Sequence, residues 1–110
     1  MIFAELQYEG HYGDQHEALV ALLGQAFRQV RSGYQGDSWV WVMDGGEKVA
    51  VDTFTSLRHQ VKSPRPGPHV QRVLAALQGA CALSLFDPPA WEGHEDGSDT
   101  TSDPTTGGTP

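Results

Sequence analysis

The chain has 110 residues, 38% of them hydrophobic, which allows one domain with a single modest core and makes a large enzyme with a buried cofactor crevice unexpected. The formal net charge is −7, but six of the 14 acids lie between Asp87 and the C-terminus, where there is no Lys or Arg. Residues 1–86 hold eight acids against seven bases, so the acidity belongs mainly to the C-terminal segment. A nearly neutral body with an acidic end disfavours nucleic acid as a partner.

The N-terminal sequence MIFAELQYEG contains neither a basic segment nor a long apolar run. We therefore expect no secretory signal, no membrane span and a cytoplasmic location. Cys81 is the single cysteine, so an internal disulfide and a thiolate metal cluster are excluded, and its apolar neighbours predict a small buried side chain. The five histidines lack the spacing of a zinc or iron site. No metal and no other cofactor is expected.

The first part of the chain predicts a strand, a helix and an edge strand. Apolar residues alternate with polar ones at its start, as in a strand with one buried face; they are Ile2, Ala4, Leu6 and Tyr8. Asp14 is suited to cap a helix that runs from about residue 15 to residue 25. The sequence FRQVRSGY then predicts a weaker strand at a sheet edge, because its arginines suit exposure to solvent.

The segment DSWVWVMDGGEKVAVDTF predicts a β-hairpin with apolar side chains on both faces. Val40 and Val42 point one way, and Trp39, Trp41 and Met43 point the other way. A small domain has enough core to cover one face of a sheet. The question is therefore what covers the second face.

Two registers of this hairpin are open, and the turn decides between them. A two-residue loop at Gly45 and Gly46 places Val42 opposite Val49, so that the valines form one face and the tryptophans lie on the other. A three-residue loop that also includes Asp44 places the tryptophans opposite the valines of the second strand, and the tryptophans then join the core.

The second helix is better marked than the first. Pro68 suits the first helical position and Gly79 can end the helix, which predicts a helix over residues 68–78. Its apolar stripe consists of Val70, Val73, Leu74 and Leu77. The sequence ACALSLF then predicts a short, well-buried last strand that ends at Pro88 and Pro89.

The predicted order is β-α-β-β-β-α-β, which indicates an α+β fold. Short connections favour a mainly antiparallel sheet with both helices on one face, as in a ferredoxin-like sandwich with an extra strand. We expect residues 1–87 to form this single domain. Residues 88–110 are rich in Gly, Pro, Ser, Thr and acids, which predicts a disordered tail that either attracts a basic partner or serves only for solubility.

The helix-free face of this sheet is the main candidate for a binding site. The apolar residues Trp39, Trp41 and Met43 would form a patch there, and such a patch usually marks a contact surface. We expect a homodimer or a complex with another protein, unless the tryptophans are only core residues. The alternative function is a small dimeric ferredoxin-like enzyme with a cavity at this face, acting on a small molecule.

A second candidate precedes the second helix. Residues 53–86 contain no acid, and a helix N-terminus attracts anions, so this stretch is a possible loop for a phosphate or carboxylate. Its candidate residues are Arg58, Lys62, Ser63 and Arg65. The spacing matches no phosphate-binding signature, and the alternative is that these are solvated or paired surface groups. Basic residues near exposed rings also resemble single-strand nucleic-acid binding, which the net charge disfavours.

Signals for catalysis are weak. His59 and Asp52 are the weak catalytic candidates, with Ser56 as a nearby hydroxyl, because residues that follow a hairpin strand converge at one end of a sheet. The chain has no nucleophile elbow and no glycine-rich phosphate loop. A binding protein is therefore favoured over an enzyme, and a concave pocket with converging polar groups and a strongly perturbed pKa would favour the enzyme.

Overall fold

The computed structural model describes residues 1–91. Within this part the chain forms six strands, two α-helices and a short 3₁₀ turn at Tyr12–Gln15. In chain order the elements are β1 (Ile2–Gln7), α1 (His16–Ala26), β2 (Gln29–Gln35), β3 (Asp37–Asp44), β4 (Glu47–Asp52), β5 (Gln60–Lys62), α2 (Pro68–Gln78) and β6 (Ala82–Ala90).

The strands form one sheet in the order β2-β3-β4-β5-β1-β6, and every neighbouring pair is antiparallel. The predicted α+β class and antiparallel sheet are confirmed, but the order differs from that of a ferredoxin-like sheet. The sequence pattern predicted five strands and gave no sign of β5. This strand has three residues and Val61 is its only apolar member, too little for a period-two pattern to be visible. β5 lies between β4 and β1 and completes the sheet.

A single core lies between the sheet and both helices. Four valines of the hairpin, Val40, Val42, Val49 and Val51, are completely buried in it. The helices cover them with Leu19 and Leu23 of α1 and Val70, Val73, Leu74 and Leu77 of α2. Full burial of such a side chain contributes about 1.5–3 kcal/mol, so this layer holds both helices on one face of the sheet.

The hairpin adopts the two-residue register. Val42 lies opposite Val49, and Asp44 pairs with Glu47. Gly45 and Gly46 have φ values of +61° and +80°, the left-handed conformations that a type I′ turn requires at both central positions. The tryptophans therefore lie on the face away from the valines.

The predicted extents of both helices are confirmed, but the predicted cap of α1 is wrong. α2 runs over the predicted residues, with Pro68 at its first position and Gly79 following its end. α1 also lies where expected, but Asp14 is not its cap, since Asp14 belongs to the 3₁₀ turn and Gln15 precedes the helix without a side-chain cap.

The predicted buried face of β1 is interrupted by a bulge between Ile2 and Ala4. Ile2 pairs with Lys62 and therefore shares the helix-free face, while Phe3 joins the core in its place. Ala4 and Leu6 face the core as predicted.

The expectation of a short, well-buried last strand is wrong. β6 is an edge strand, most of it exposed or partly buried, and it continues through Pro88 and Pro89 to Ala90. An edge position explains this, because a proline there removes a donor that no neighbouring strand needs. Cys81, just before β6, is partly buried, and this burial raises the pKa of its thiol. Of the predicted disordered tail, residues 88–90 belong to β6, and residues 92–110 lie outside the described part.

Candidate functional site on the helix-free face

The register defines the composition of the helix-free face, because directly paired residues project to the same side of a sheet. One row across the sheet consists of Arg31, Trp41, Ala50, Lys62, Ile2 and Ala90. The next row consists of Gly33, Trp39, Asp52, Gln60, Glu5 and Ser84. The face therefore changes from aromatic and cationic at the β2 edge to polar at its centre.

The two tryptophans of this face lie against each other and against the backbone. Their ring centroids are 4.4 Å apart, at an interplanar angle of 39°. The indole of Trp39 lies over Gly33 of the edge strand, where a Cβ atom would come within 2.4 Å of Cζ2. Lys48 places Nζ 3.8 Å from the centroid of a Trp41 ring, a cation–π geometry. Both tryptophans are partly buried by these contacts.

The centre of the face is covered by the chain itself. Lys62 Nζ donates to Asp52 Oδ1 at 2.6 Å and to Thr55 Oγ1 at 3.0 Å, and the side chains of Lys62 and Asp52 are 7% and 5% exposed. The backbone N–H of Phe54 donates to the same carboxylate oxygen at 3.2 Å. The loop between β4 and β5 thus closes over a buried ion pair, while Phe54 stays 49% exposed.

Two adjoining depressions on this face are lined by residues of the described part of the chain. The larger has a volume of about 610 Å³ and is called here the cationic groove; its side chains include Arg28, Arg31, Trp41, Met43 and Lys48. The smaller, of about 340 Å³, shares Trp41 and Lys48 with it and continues past Phe54 above the buried ion pair. Both volumes lie within the range of roughly 300–1,000 Å³ found for ligand sites, and the smaller is near its lower end.

The basic side chains divide into two groups by their contacts. Arg65 and Arg72 pair with Glu47 and Asp44, Lys62 pairs with Asp52, and Arg58 donates to the carbonyl of Tyr8. The other three bases of the chain are Arg28, Arg31 and Lys48. Within residues 1–91, the side chains of Arg28 and Arg31 make no hydrogen bond or ion pair, and the ammonium group of Lys48 contacts only the Trp41 ring. All three line the cationic groove.

Two indole N–H groups lie in or beside the groove, that of Trp41 in its lining and that of Trp39 next to it. Neither the Trp39 nor the Trp41 indole N–H has an acceptor within the described part of the chain. Buried or partly buried indole N–H groups usually find an acceptor. The cationic groove thus combines cations, the indole N–H of Trp41 and aromatic surface, and no acid is among the described residues that line it.

The residues of the predicted anion loop do not converge. Lys62 is engaged in the buried ion pair, and Arg58 lies against Tyr8. Ser63 donates to the carbonyl of Lys48 at 2.9 Å and lies 3.2 Å from His69 Nε2. Arg65 forms a surface ion pair with Glu47, and its hydrogen bonds to that carboxylate lower the pKa of Glu47.

The weak catalytic candidates are also separated. Asp52 lies on the helix-free face, whereas His59 is completely buried on the other side of the sheet. Ser56 Oγ lies 3.5 Å from a carboxylate oxygen of Glu5. No group of three or more His, Cys, Asp or Glu among residues 1–91 is placed to hold a metal ion.

His59 belongs instead to a buried chain of hydrogen bonds. Its backbone N–H donates to Tyr8 Oη, and Tyr8 Oη lies 2.8 Å from His59 Nδ1. His59 Nε2 lies 2.7 Å from Ser38 Oγ, which is in turn 2.7 Å from His16 Nδ1. A neutral His59 satisfies all of these groups when Tyr8 donates to Nδ1, Nε2–H donates to Ser38, and Ser38 donates to His16. This network connects the residue that follows β1 with α1 and β3.

Burial sets the protonation state of this network. Desolvation, with a smaller contribution from the nearby His16, lowers the pKa of His59 from 6.5 to about 4, and desolvation also raises the pKa of Tyr8. His59 is therefore neutral at physiological pH and enclosed by its partners. It does not line either groove.

Sequence reasoning proposed the tryptophans and Met43 but missed the cations beside them. Arg31 is directly opposite Trp41 in the sheet, and Lys48 is directly opposite Met43. The positions of Arg31 and Lys48 beside the aromatic residues follow once the hairpin has the two-residue register and β2 pairs antiparallel with β3. The pairing of β2 with β3, and the absence of acids near Arg28, were not visible in the sequence pattern.

No family model, curated protein or solved structure matches the chain. Neither helix within residues 1–91 has the length and apolar character needed to cross a membrane. Function is therefore inferred from the geometry of the helix-free face.

Proposed function

We propose that this protein acts by binding, and that the cationic groove on its helix-free face takes an acidic segment of a partner protein. The observation that carries the proposal is that three cations without an acidic partner in residues 1–91 line one groove beside two tryptophan rings. Complementary charge provides specificity and fast association, and aromatic side chains are enriched at the centres of protein interfaces.

An acidic partner fits this groove better than a second copy of the chain. A two-fold interface brings the same surface of both copies together. Centred on the groove, it would place Arg31 and Lys48 of one copy near the same cations of the other. Like charges in such an arrangement oppose association, whereas an acidic segment neutralises them.

An enzymatic function has less support. The two side chains suggested for catalysis lie on opposite faces of the sheet, and Asp52 is neutralised by Lys62. The strongly perturbed pKa belongs to His59, which is buried away from both grooves. An enzyme requires such a group at the pocket where the substrate binds.

The proposal is tested with poly-L-glutamate as the acidic probe and with the full chain carrying Trp91→Phe, so that Trp39 and Trp41 report the binding. Arg31→Gln removes a charge from the groove, and the matched control Arg72→Gln removes one from the Asp44 ion pair elsewhere. We expect Arg31→Gln to weaken binding about two- to fivefold, the usual strength of an exposed ion pair. The control should change it less than twofold, and added salt should weaken binding of all variants.

Three results would contradict the proposal. Equal weakening by Arg31→Gln and Arg72→Gln would indicate attraction to total charge alone. Binding of oligothymidylate but not of poly-L-glutamate, sensitive to Arg31→Gln, would identify single-stranded nucleic acid as the partner class. A dimer in light scattering that dissociates on dilution with red-shifted tryptophan emission would assign the face to a second copy.

A further inference from the structure

β2 forms one outer edge of the sheet and is well suited to accept another strand. It pairs with β3 over seven consecutive residue pairs, from Gln29–Met43 to Gln35–Asp37, without a bulge. No strand of the described residues pairs with its other side. The strand contains no proline. A long, regular edge of this kind presents a row of backbone donors and acceptors to an added chain.

The opposite edge of the sheet is protected. β6 contains Pro88 and Pro89, which have no backbone N–H, and its register with β1 is broken between Ala4 and Ile2. Prolines and register breaks are common devices that prevent strands from adding to an edge. The two edges therefore differ, and the open edge is the one that borders the cationic groove.

The side chains at the open edge define what an added strand would meet. On the helix-free face, Arg31 and Gly33 are the β2 residues beside the two tryptophans. Residues directly opposite in neighbouring strands have Cβ atoms about 5 Å apart. A residue opposite Arg31 would therefore meet a guanidinium group, and a residue opposite Gly33 would meet the ring of Trp39, which lies over that glycine.

We infer that the partner segment binds as an extended strand along the outer edge of β2, with an acidic side chain opposite Arg31 and an apolar side chain opposite Gly33, two residues away. This inference rests on the proposed function and gives it a binding mode. Backbone hydrogen bonds to β2 provide affinity, and the alternating side chains on the helix-free face provide specificity.

The test uses the full chain with Trp91→Phe and a synthetic peptide of seven residues, the length of β2. Thr occupies every second position of the peptide, and Glu and Val occupy the positions between, so that a Glu can lie opposite Arg31 and a Val opposite Gly33. The matched control is the same peptide methylated on its backbone nitrogens. The methylated peptide keeps every side chain and the charge, but its backbone can no longer donate hydrogen bonds to β2. We expect methylation to weaken binding at least tenfold, since several hydrogen bonds are lost together. Amide exchange in β2 should slow when the unmodified peptide binds.

A charge exchange tests the pairing with Arg31. A peptide with Lys in place of Glu should bind Arg31→Glu better than it binds the unchanged chain, and the Glu peptide should show the reverse preference. Far-ultraviolet circular dichroism checks that Arg31→Glu folds. All variants retain the full chain, so that its acidic C-terminal segment contributes equally to each measurement.

The outcomes separate this inference from the proposed function. If the methylated and unmodified peptides bind equally well and Arg31→Gln weakens both, strand addition is overturned while the acidic-partner proposal stands. If neither peptide nor poly-L-glutamate responds to Arg31→Gln, both are overturned. Loss of binding on methylation, together with the reversed preference in the charge exchange, supports both.

Discussion

Acidification should destabilise this protein through His59, which is enclosed by Tyr8, Ser38 and His16 on the helix side of the sheet. Its pKa is lowered from 6.5 to about 4 in the folded state. As the pH falls below the unfolded value, the unfolded chain takes up a proton that the folded chain does not. Stability is therefore fully present at neutral pH and is lost as the pH falls from 6.5 towards about 4.

The size of this effect follows from the two pKa values. The difference between 6.5 and about 4 corresponds to about 3 kcal/mol of unfolding free energy, at roughly 1.4 kcal/mol for each pKa unit. About 2 kcal/mol of it is lost between about pH 7 and pH 5, before most carboxylates begin to titrate. This is a large fraction of the stability of a small domain.

The assay is urea unfolding followed by circular dichroism at several pH values between about 7 and 5, for the unchanged chain, His59→Gln and the exposed control His11→Gln. We expect the unchanged chain and His11→Gln to lose about 2 kcal/mol over this range. His59→Gln should start less stable, because Tyr8 and Ser38 lose their partner, but should lose little more on acidification. An equal loss in His59→Gln, or a histidine resonance that titrates near 6.5 for His59 in the folded protein, would refute this reasoning.

Two further predictions concern the helix-free face. Gly33→Ala places a methyl group within 2.4 Å of the Trp39 ring, so the indole must leave β2; tryptophan emission should shift to the red, whereas Ser32→Ala, on the same strand, should leave it unchanged. Lys62→Met leaves the Asp52 carboxylate buried without its cation, and we expect a loss of about 3–5 kcal/mol in urea unfolding. The double variant with Asp52→Leu should recover most of that loss, and a double variant no more stable than Lys62→Met would contradict the role assigned to the ion pair.

Local patterns in the sequence determined much of the fold. Both helices, the edge character of β2 and the position of the hairpin follow from periodicities of 3.6 and two residues. The sequence also limited the hairpin to two registers. These features were predictable because each depends on residues close together in the chain. β5 and the exposure of β6 were missed, since a three-residue strand has no readable period and burial of a strand depends on its position in the sheet.

The candidate site depended more on tertiary structure. The sequence proposed Trp39, Trp41 and Met43 as site residues, but its basic candidates preceded α2, and Lys62 is buried against Asp52. Which cations are paired and which stay open depends on contacts between residues far apart in the chain. Arg31 lies in the groove because β2 pairs with β3. The pattern of residues within one strand does not show which strand will be its neighbour.

By itself, then, the sequence determined that the sheet has an apolar surface on both sides, because alternation within one hairpin requires it. Only the tertiary structure decided what covers the second side. The loop that contains Phe54 and Thr55 covers its centre by contacting the buried Asp52–Lys62 pair, and the tryptophans lie over the edge strand. The physical reason is that burial is a property of long-range packing, whereas the direction of each side chain along a strand is fixed locally.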